Sequence, residues 1–537
     1  MLSIQQISLP ITHSENELQN KIAVILDLKV SEIKAFTITK RAIDSRKKYQ
    51  MIYFVYSVAV EVDDEQKVLA KKIVQQNIPQ HRIEIKELYI YEIPKIDSKK
   101  TDKRPIVVGT GPSGLFSALL LAKIGLKPLV IERGGDVDSR IKDVETFLST
   151  GKLNPKSNIQ FGEGGAGTFS DGKLNTLITN PRIKYIFDEL VRAGAPAEIL
   201  WDAQPHIGTD KIRQVAKNIR KQIVKLGGEV RFNTELTDIK INKNKVTGVI
   251  LNGKEEIETD KLVLAIGYSA RDTYEMLFNN KLDIEQKPFS VGVRIEHKAE
   301  MINKSQYDKF YNDKKLGQAK YKLVSHSKKN RSVYTFCMCP GGYVVPATSE
   351  ESCVVTNGMS KYAQDGDNSN SALLVNVKTE DFESDHPLAG IEFQRKWEKK
   401  AFEAGGSNYH APVQLVSDFL NKQESMEIKS IIPTYKPGVT PTSLDKCLPD
   451  FVADSLREAL PELERKLKGF AHPDAVLTAI ETRSSSPLRI TRNKETMHSN
   501  ITGIYPAGEG AGYAGGIVSS AVDGMLVSEA IIKQLQL

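Results

Sequence analysis

Apolar and polar residues alternate through "MIYFVYSVAVEV" (51–62), the period-two pattern of a strand with one buried face. "IQQISLP" (4–10), "IKAFTITKRAI" (33–43) and "RIEIKELYIYEI" (82–93) read as further strands. Between them, "SENELQNKIAVILDL" (14–28) and "DEQKVLAKKIVQQ" (64–76) carry the helical period, the first with Ser14 or Asn16 as cap. The order β-α-β-β-α-β closes at about residue 96. "PKIDSKKTDKRP" (94–105) has no apolar period and reads as a linker. From Ile106 the pattern changes to strand, glycine turn, helix and strand in "RPIVVGTGPSGLFSALLLAKIGLKPLVIERG" (104–134). "TDKIRQVAKNIRKQIVKLGGEV" (209–230) is a helix ended by Gly227 and Gly228, and residues 229–267 read as a meander of short strands. Residues 287–430 read as strand-like and loop-rich, "PDFVADSLREALPELERKLKGF" (449–470) as a helix.

A chain of 537 residues, 40% hydrophobic and 26% charged, is ordinary for a soluble protein of two or three domains. A net charge of +7, with both signs interspersed, argues only weakly for a polyanionic partner, and nucleic acid is not the expected one. Four cysteines with no CxxC pairing, and nine scattered histidines, predict neither a disulfide scaffold nor a metal site. The N-terminus lacks a basic start followed by an apolar core, and no stretch reads as membrane-spanning, so a cytoplasmic location is expected.

"IVVGTGPSG" places Gly109, Gly111 and Gly114 in G-x-G-x-x-G between a strand and a helix, with Pro112 and Ser113 opening that helix. Such a turn lets backbone approach a pyrophosphate at the helix N-terminus. Glu132, followed by Arg133, ends the next strand about 18 residues past Gly114. A carboxylate there accepts from ribose hydroxyls and disfavours a 2′-phosphate. "FGEGGAGTFSDGKL" (161–174) holds five glycines in fourteen positions. A flexible linker does not need its phased hydroxyls, whereas a loop pressed against a ligand does.

The C-terminal "GIYPAGEGAGYAGGIVSSAVDG" resembles the last flavin-binding motif of FAD oxidoreductases. The resemblance implies ribityl contact for Gly508 and Glu509, with Glu509 standing where Asp is commoner. It also places Gly515, Gly516 and Ile517, at a helix N-terminus, against the flavin. "KLVLAIGYSARD", with Gly267, is similar to the intermediate motif of those flavoproteins. "GEGGAGTFSDGK" resembles a flavin-lining loop of the fumarate reductase and ketosteroid dehydrogenase type, which implies cofactor contacts for Gly164, Gly165, Thr168 and Ser170. Residues 98–537 also resemble a bacterial group of NAD(FAD)-utilizing dehydrogenases of unassigned substrate, through "PHIGTDK", "FSVGVRIEH", "FCMCPGGYVVPATSE" and "ETRSSSPLRI".

The expected fold class is α/β. An FAD-binding Rossmann-type, three-layer domain occupies 98–286 and 486–537. A mostly-β substrate or cap domain is inserted at 287–485, and a ferredoxin-like α+β domain spans 1–96. The expected activity is hydride transfer between flavin N5 and an unidentified small organic substrate, anionic molecules included. No second G-x-G-x-x-G is present, so NAD(P)H as electron donor would have to use the substrate cleft. Arg483 is the candidate for binding a substrate carboxylate, or else a surface or FAD-phosphate arginine. Cys337 and Cys339, at strand spacing, are candidates for a redox pair or for plain packing. His206 is a candidate acid–base group or a structural loop histidine. A flavin monooxygenase, or an FAD-binding redox sensor or RNA-associated protein using the basic "KRAIDSRKK" (40–48), are the alternatives.

Overall fold

The computed structural model describes residues 1–46, 50–74, 83–87, 90–95 and 103–536. The alternation at 51–62 becomes β3 of the first unit, which comprises β1 (Leu2–Pro10), α1 (Glu15–Leu26), β2 (Ala35–Asp44), β3 (Tyr53–Glu61), α2 (Glu65–Val74) and β4 (Ile83–Ile85). The sheet order is β2-β3-β1-β4, antiparallel throughout. Phe54, Tyr56, Val58 and Val60 fall on the buried face. Ser14 and Glu17 form a capping box at the start of α1.

The strand expected to run to Ile93 is shorter. It ends at Ile85, and Tyr91 and Ile93 pack instead on the next unit. The Tyr91 hydroxyl donates to Glu529 at 2.6 Å and its ring lies 4.8 Å from that of Tyr185. A long-range hydrogen bond and a ring contact outweigh continued pairing at a sheet edge. Of the expected linker, residues 96–102 lie outside the described residues, as do residues 47–49 at the end of the basic segment.

The second unit begins with β5 (Ile106–Val108), α3 (Pro112–Lys123), β6 (Leu129–Ile131), α4 (Val137–Thr150), α5 (Arg182–Arg192), α6 (Thr209–Lys225) and β7 (Glu229–Arg231). An antiparallel meander follows, β8 (Leu236–Asn242), β9 (Lys245–Leu251) and β10 (Glu255–Glu258), then β11 (Leu262–Leu264) and α7 (Arg271–Asn279).

The chain leaves this unit through β12 (Ile284–Gln286) and builds β13 (Phe289–Lys298), α8 (Ala299–Tyr307), β14 (Val324–His326), β15 (Ser332–Cys339), β16 (Tyr343–Pro346), β17 (Thr356–Met359) and β18 (Asn368–Val377). After these come α9 (Ala389–Ala404), β19 (Ala411–Leu415), α10 (Val416–Leu420), β20 (Val439–Pro441), α11 (Asp450–Lys466), β21 (Val476–Glu481) and β22 (Leu488–Ile490). The outgoing β12 and the returning β22 pair antiparallel, Ile284 opposite Ile490, and so clasp the insertion at its neck. Seven strands form one sheet in the order β14-β15-β18-β13-β21-β19-β20. Val291, Val293 and Ile295 of β13 share a core with Leu456, Leu460 and Leu463 of α11. The alternate residues Ser290, Gly292, Arg294 and Glu296 give the sheet a buried polar face.

The last segment adds β23 (Ile504–Pro506) and α12 (Ile517–Gln536). β23 completes a parallel sheet of order β23-β11-β5-β6-β7. α12 packs on α3: Gly524 comes so close that a Cβ there would lie 2.1 Å from the Ser113 carbonyl oxygen. The molecule is thus a mixed α/β protein of several sheets. Among the described residues, no helix is long and apolar enough to cross a membrane.

Candidate functional site

The glycine turn after β5 is built as its spacing requires. Gly109 has φ +98°, and a Cβ on Gly114 would lie 1.9 Å from the Gly109 carbonyl oxygen. The N-terminus of α3, at Gly111 and Pro112, is thereby held off the end of the strand with its amides unpaired by the helix. Glu132 was expected to reach a ribose. In the structure its carboxylate turns inward and accepts from the amides of Thr110, Gly134 and Gly162, each at 3.0 Å, and from the Thr110 hydroxyl at 2.7 Å. Four donors fill its four lone-pair positions, so Glu132 ties three loops together. Arg133 binds Asp272 at 2.9 Å and the Thr273 hydroxyl at 2.8 Å, beside a cavity of about 290 Å³ lined by Glu235, Leu236, Thr237, Asp272, Thr273 and Met276.

The loop "FGEGGAGTFSDGKL" is ordered, and the organising residue lies outside it. Arg140 of α4, fully buried, donates to the carbonyl oxygens of Asn158, Ile159, Gly162 and Glu163 at 2.7–3.2 Å. Burial draws its pKa down to about 9, which leaves it charged at neutral pH. Glu163 accepts from the Val137 amide and from Arg220. The Thr168 hydroxyl donates to the Glu163 carbonyl at 2.9 Å and the Ser170 hydroxyl to the Gly167 carbonyl at 2.8 Å. Both hydroxyls therefore shape the loop. Gly164 and Gly165 take positive φ, and Gly165 faces Gly111, where a Cβ would come 2.9 Å from the Gly111 Cα.

At the C-terminal motif the Gly508 amide donates to Asp523 at 2.7 Å, and Arg492 pairs with the same carboxylate at 2.6 Å. The Glu509 carboxylate has no hydrogen-bond or ion-pair partner among the described residues. Burial raises its pKa to about 7, against a lowering pull from Lys287. A Cβ on Gly267 or Gly515 would meet nothing within 4 Å, and one on Gly516 only the Ser519 hydroxyl at 4.0 Å. Ile517 borders Gly167. Ser113 Oγ and Gln160 Nε2 are buried with no partner. Open space at Gly267 and Gly515, and three polar groups that lack partners, are what a large cofactor with both aromatic and polyhydroxyl parts would satisfy. The residues present fit FAD.

The candidate catalytic side chains lie among partners that the sequence does not name. Arg483 is engaged by protein groups on all three of its nitrogens. Its Nε and Nη2 donate to Glu398 at 3.0 and 2.8 Å, and its Nη1 to Ser269 at 3.1 Å and Ser349 at 2.6 Å. Arg271 grips the other sides of Glu398 at 2.8 and 2.9 Å. Two guanidinium groups hold this fully buried carboxyl well below the usual carboxylate range. Glu350 and Cys353 lie close to Glu398, but Arg271, Arg395 and Arg483 already neutralise the two carboxylates, which leaves no vacancy for a cation.

Cys337 and Cys339 do not share a strand face. β15 shifts register between Phe336 and Cys339, and Cys337 takes φ 42°, so its thiol is solvent-accessible while Cys339 is buried. Both are free thiols. Burial raises the pKa of Cys339, although Lys173 and Arg294 stand 3.6 and 3.8 Å from its sulfur. His206 lies against Tyr362, its Nε2 3.1 Å from the Tyr362 carbonyl oxygen, and burial lowers its pKa.

The sequence offers Arg294 and Glu296, on one strand face, as a substrate-facing pair or a plain ion pair; Arg294 pairs with Glu481 at 3.2 Å, whose pKa burial raises. Lys173, which pairs with Asp171 at 3.2 Å, and Tyr334 carried no sequence signal of their own. Tyr334 donates to Ser290 on the polar sheet face at 2.9 Å. Lys173 lies within the glycine-rich stretch 161–174, directly after Gly172, which is the one feature that could have pointed to it.

Residues 288–484 match a family described as FAD-dependent protein, C-terminal domain-like, and residues 1–61 match a domain of unknown function. An uncharacterized protein of Clostridium beijerinckii is 48% identical over 542 residues, covering 100% of this chain and 99% of its own length. Among solved structures, a mutant of the halogenase PltM in complex with FAD is 11% identical, with TM-score 0.40, over 81% of this chain and 70% of that one. The flavin-dependent brominase Bmp2 is 12% identical, with TM-score 0.37, over 81% and 79%. Scores this low carry no inference about chemistry. With the family match and the fit of the residues, the cofactor is FAD.

Proposed function

The chain belongs to the family of that Clostridium beijerinckii protein, and from this premise we propose that it is an FAD-dependent oxidoreductase acting on a small organic molecule. One observation carries this reading. A Cβ at Gly267 or Gly515 would meet no protein atom within 4 Å, and Ser113 Oγ and Gln160 Nε2 are buried without a partner. When bound, FAD supplies two-electron chemistry, a hydride equivalent given or taken at N5 of its ring. The amides at the start of α3 bind phosphate, and the cavity beside Arg133 suits the adenosine end. Glu509 and Gln160 supply an acceptor and a donor for the polyhydroxyl chain.

The substrate lies on the polar face, near Tyr334, Cys337 and Glu481. Glu481 is the group best placed to hold or release a proton, because burial raises its pKa while Arg294 anchors one of its oxygens. The burial and raised thiol pKa of Cys339 favour packing over redox chemistry for it. Purified protein should be yellow, with about one FAD per chain, and colourless protein that rejects added FAD would end this reading. Anaerobic reduction by NADH, NADPH and a substrate panel identifies the donor. Rapid oxygen consumption by the reduced protein would favour the monooxygenase alternative.

A further inference from the structure

Gln160 lies between α4 and the glycines of the loop, and the protein fixes its backbone and its side chain from different directions. The Asn158 side-chain oxygen accepts from the Gln160 and Phe161 amides at 2.9 and 3.2 Å, while Arg140 holds the carbonyl oxygens of Asn158 and Ile159. The Gln160 side chain is gripped from the other side of the unit. Its Oε1 accepts from the Ser269 hydroxyl at 3.1 Å, and the Ser269 oxygen accepts from Arg483 Nη1 at 3.1 Å. All three residues are buried, Gln160 at 6% exposure and Ser269 and Arg483 at 4% each. Arg483 is itself anchored, with its Nε and Nη2 on Glu398.

The direction of this relay follows from the chemistry of its members. A guanidinium only donates, so Arg483 occupies a lone pair of Ser269 Oγ. The serine proton then needs an acceptor, because a buried hydroxyl proton without one is costly, and Gln160 Oε1 is the acceptor it meets. The carboxamide is thereby turned with Nε2 away from Ser269, and Nε2 has no hydrogen-bond partner among the described residues. The Tyr268 hydroxyl feels the amide without forming a hydrogen bond to it. Ser269 follows Gly267 by two residues, a chain length of about 7 Å at most. A Cβ on Gly267 would meet nothing within 4 Å.

We propose that Ser269 is a positioning residue for the cofactor: it holds the Gln160 carboxamide so that the NH2 group donates to an acceptor atom of FAD. Arg483, from the loop between β21 and β22, sets the direction of the relay, so the insertion takes part in seating the flavin. The inference rests on the FAD reading above and assigns roles to Ser269 and Arg483 that act through Gln160.

The test is the FAD affinity of the full-length protein, titrated by fluorescence after bound FAD is removed. Gln160→Glu keeps the oxygen that Ser269 uses and replaces only the NH2 group. It should weaken FAD by about tenfold or more, the scale of one buried hydrogen bond exchanged for an unpaired acceptor. Gln160→Met, which removes the donor without adding a charge, should lose FAD to a similar extent. Ser269→Ala frees the carboxamide to rotate and should weaken FAD by about threefold or more. Made on top of Gln160→Glu, the same substitution should change affinity by less than about twofold, since a positioning residue acts only through the group it positions. Affinities of Gln160→Glu and Gln160→Met within about twofold of wild type overturn the proposal. So does an equal loss from Ser269→Ala in both backgrounds, which would make Ser269 a structural residue. Wild-type protein that binds no FAD overturns the cofactor reading and this inference together, whereas variants that bind FAD as tightly as wild type overturn the inference alone.

Discussion

Glu398 shows how much one buried charge can organise. It is fully buried, and two guanidinium groups bracket it, one from α7 and one from the loop between β21 and β22. Glu398→Gln leaves Arg271 and Arg483 undercompensated and should cost about 3–5 kcal/mol, the range for breaking a buried pair, read by urea unfolding. Its folded pKa is depressed, so its contribution is present above the unfolded value near ~4.3 and is lost as pH falls through the folded one. Wild type should therefore lose its advantage over the variant only in strong acid. Glu509 behaves in the opposite sense. Its folded pKa is raised to about 7, so the FAD-free fold is penalised as pH climbs toward and past that value. Glu509→Gln should stabilise FAD-free protein at pH 8 by up to about 3 kcal/mol, at about 1.4 kcal/mol per pKa unit. At pH 4 it should change little. Equal effects at the two pH values would show that the carboxyl is solvated.

At the scale of elements, α4 and the glycine-rich loop form one device, because Arg140 binds four carbonyl oxygens of the segment 158–163. Arg140→Ala strands those carbonyls and should release both the loop and the cofactor, seen as lost flavin absorbance and new proteolysis within 156–172. Gly515→Ala makes a contrasting test. Its Cβ would meet no protein atom within 4 Å, so the melting temperature should stay within a degree or two of wild type. FAD content should nonetheless fall, because that space belongs to the ligand. Retained FAD would mean that the cofactor lies elsewhere. The glycine spacing at 109, 111 and 114 did specify a strand, a turn at positive φ and a helix starting at Pro112. Helix α9 was missed within a segment that reads as strands. Its inward positions Ile391, Gln394, Glu398 and Ala401 follow the helical period, but two of the four are polar, and a pattern that counts only apolar residues loses the period there.

Across the whole molecule, three units meet around one junction. The N-terminal sheet reaches the loop that carries His206: the Arg41 amide donates to the Trp201 carbonyl at 2.7 Å, and its guanidinium lies 4.4 Å from the Trp201 ring. Lys315 of the insertion donates to the Ile11 carbonyl at 3.2 Å. Arg41→Ala should cost about 1 kcal/mol, the scale of an exposed-to-intermediate cation–π contact, and leave FAD content alone. If FAD is lost with it, the first unit also shapes the cofactor site.

Local backbone chemistry was written in the sequence. Glycine turns, helix caps and strand alternation depend on neighbours a few residues apart, so the nucleotide turn, the C-terminal helix and the first sheet could be read without a structure. The uses of Arg483, Cys337, Glu132 and Thr168 could not. Each depends on a partner or a bulge brought in by folding: Glu398 lies 85 residues before Arg483, and Gly162 lies 30 residues after Glu132. A charged side chain in a sequence can bind a ligand or a buried counter-ion equally well. Only the tertiary structure supplies the counter-ion, and where it does, the geometry of the ion pair decides which groups remain free to meet a substrate.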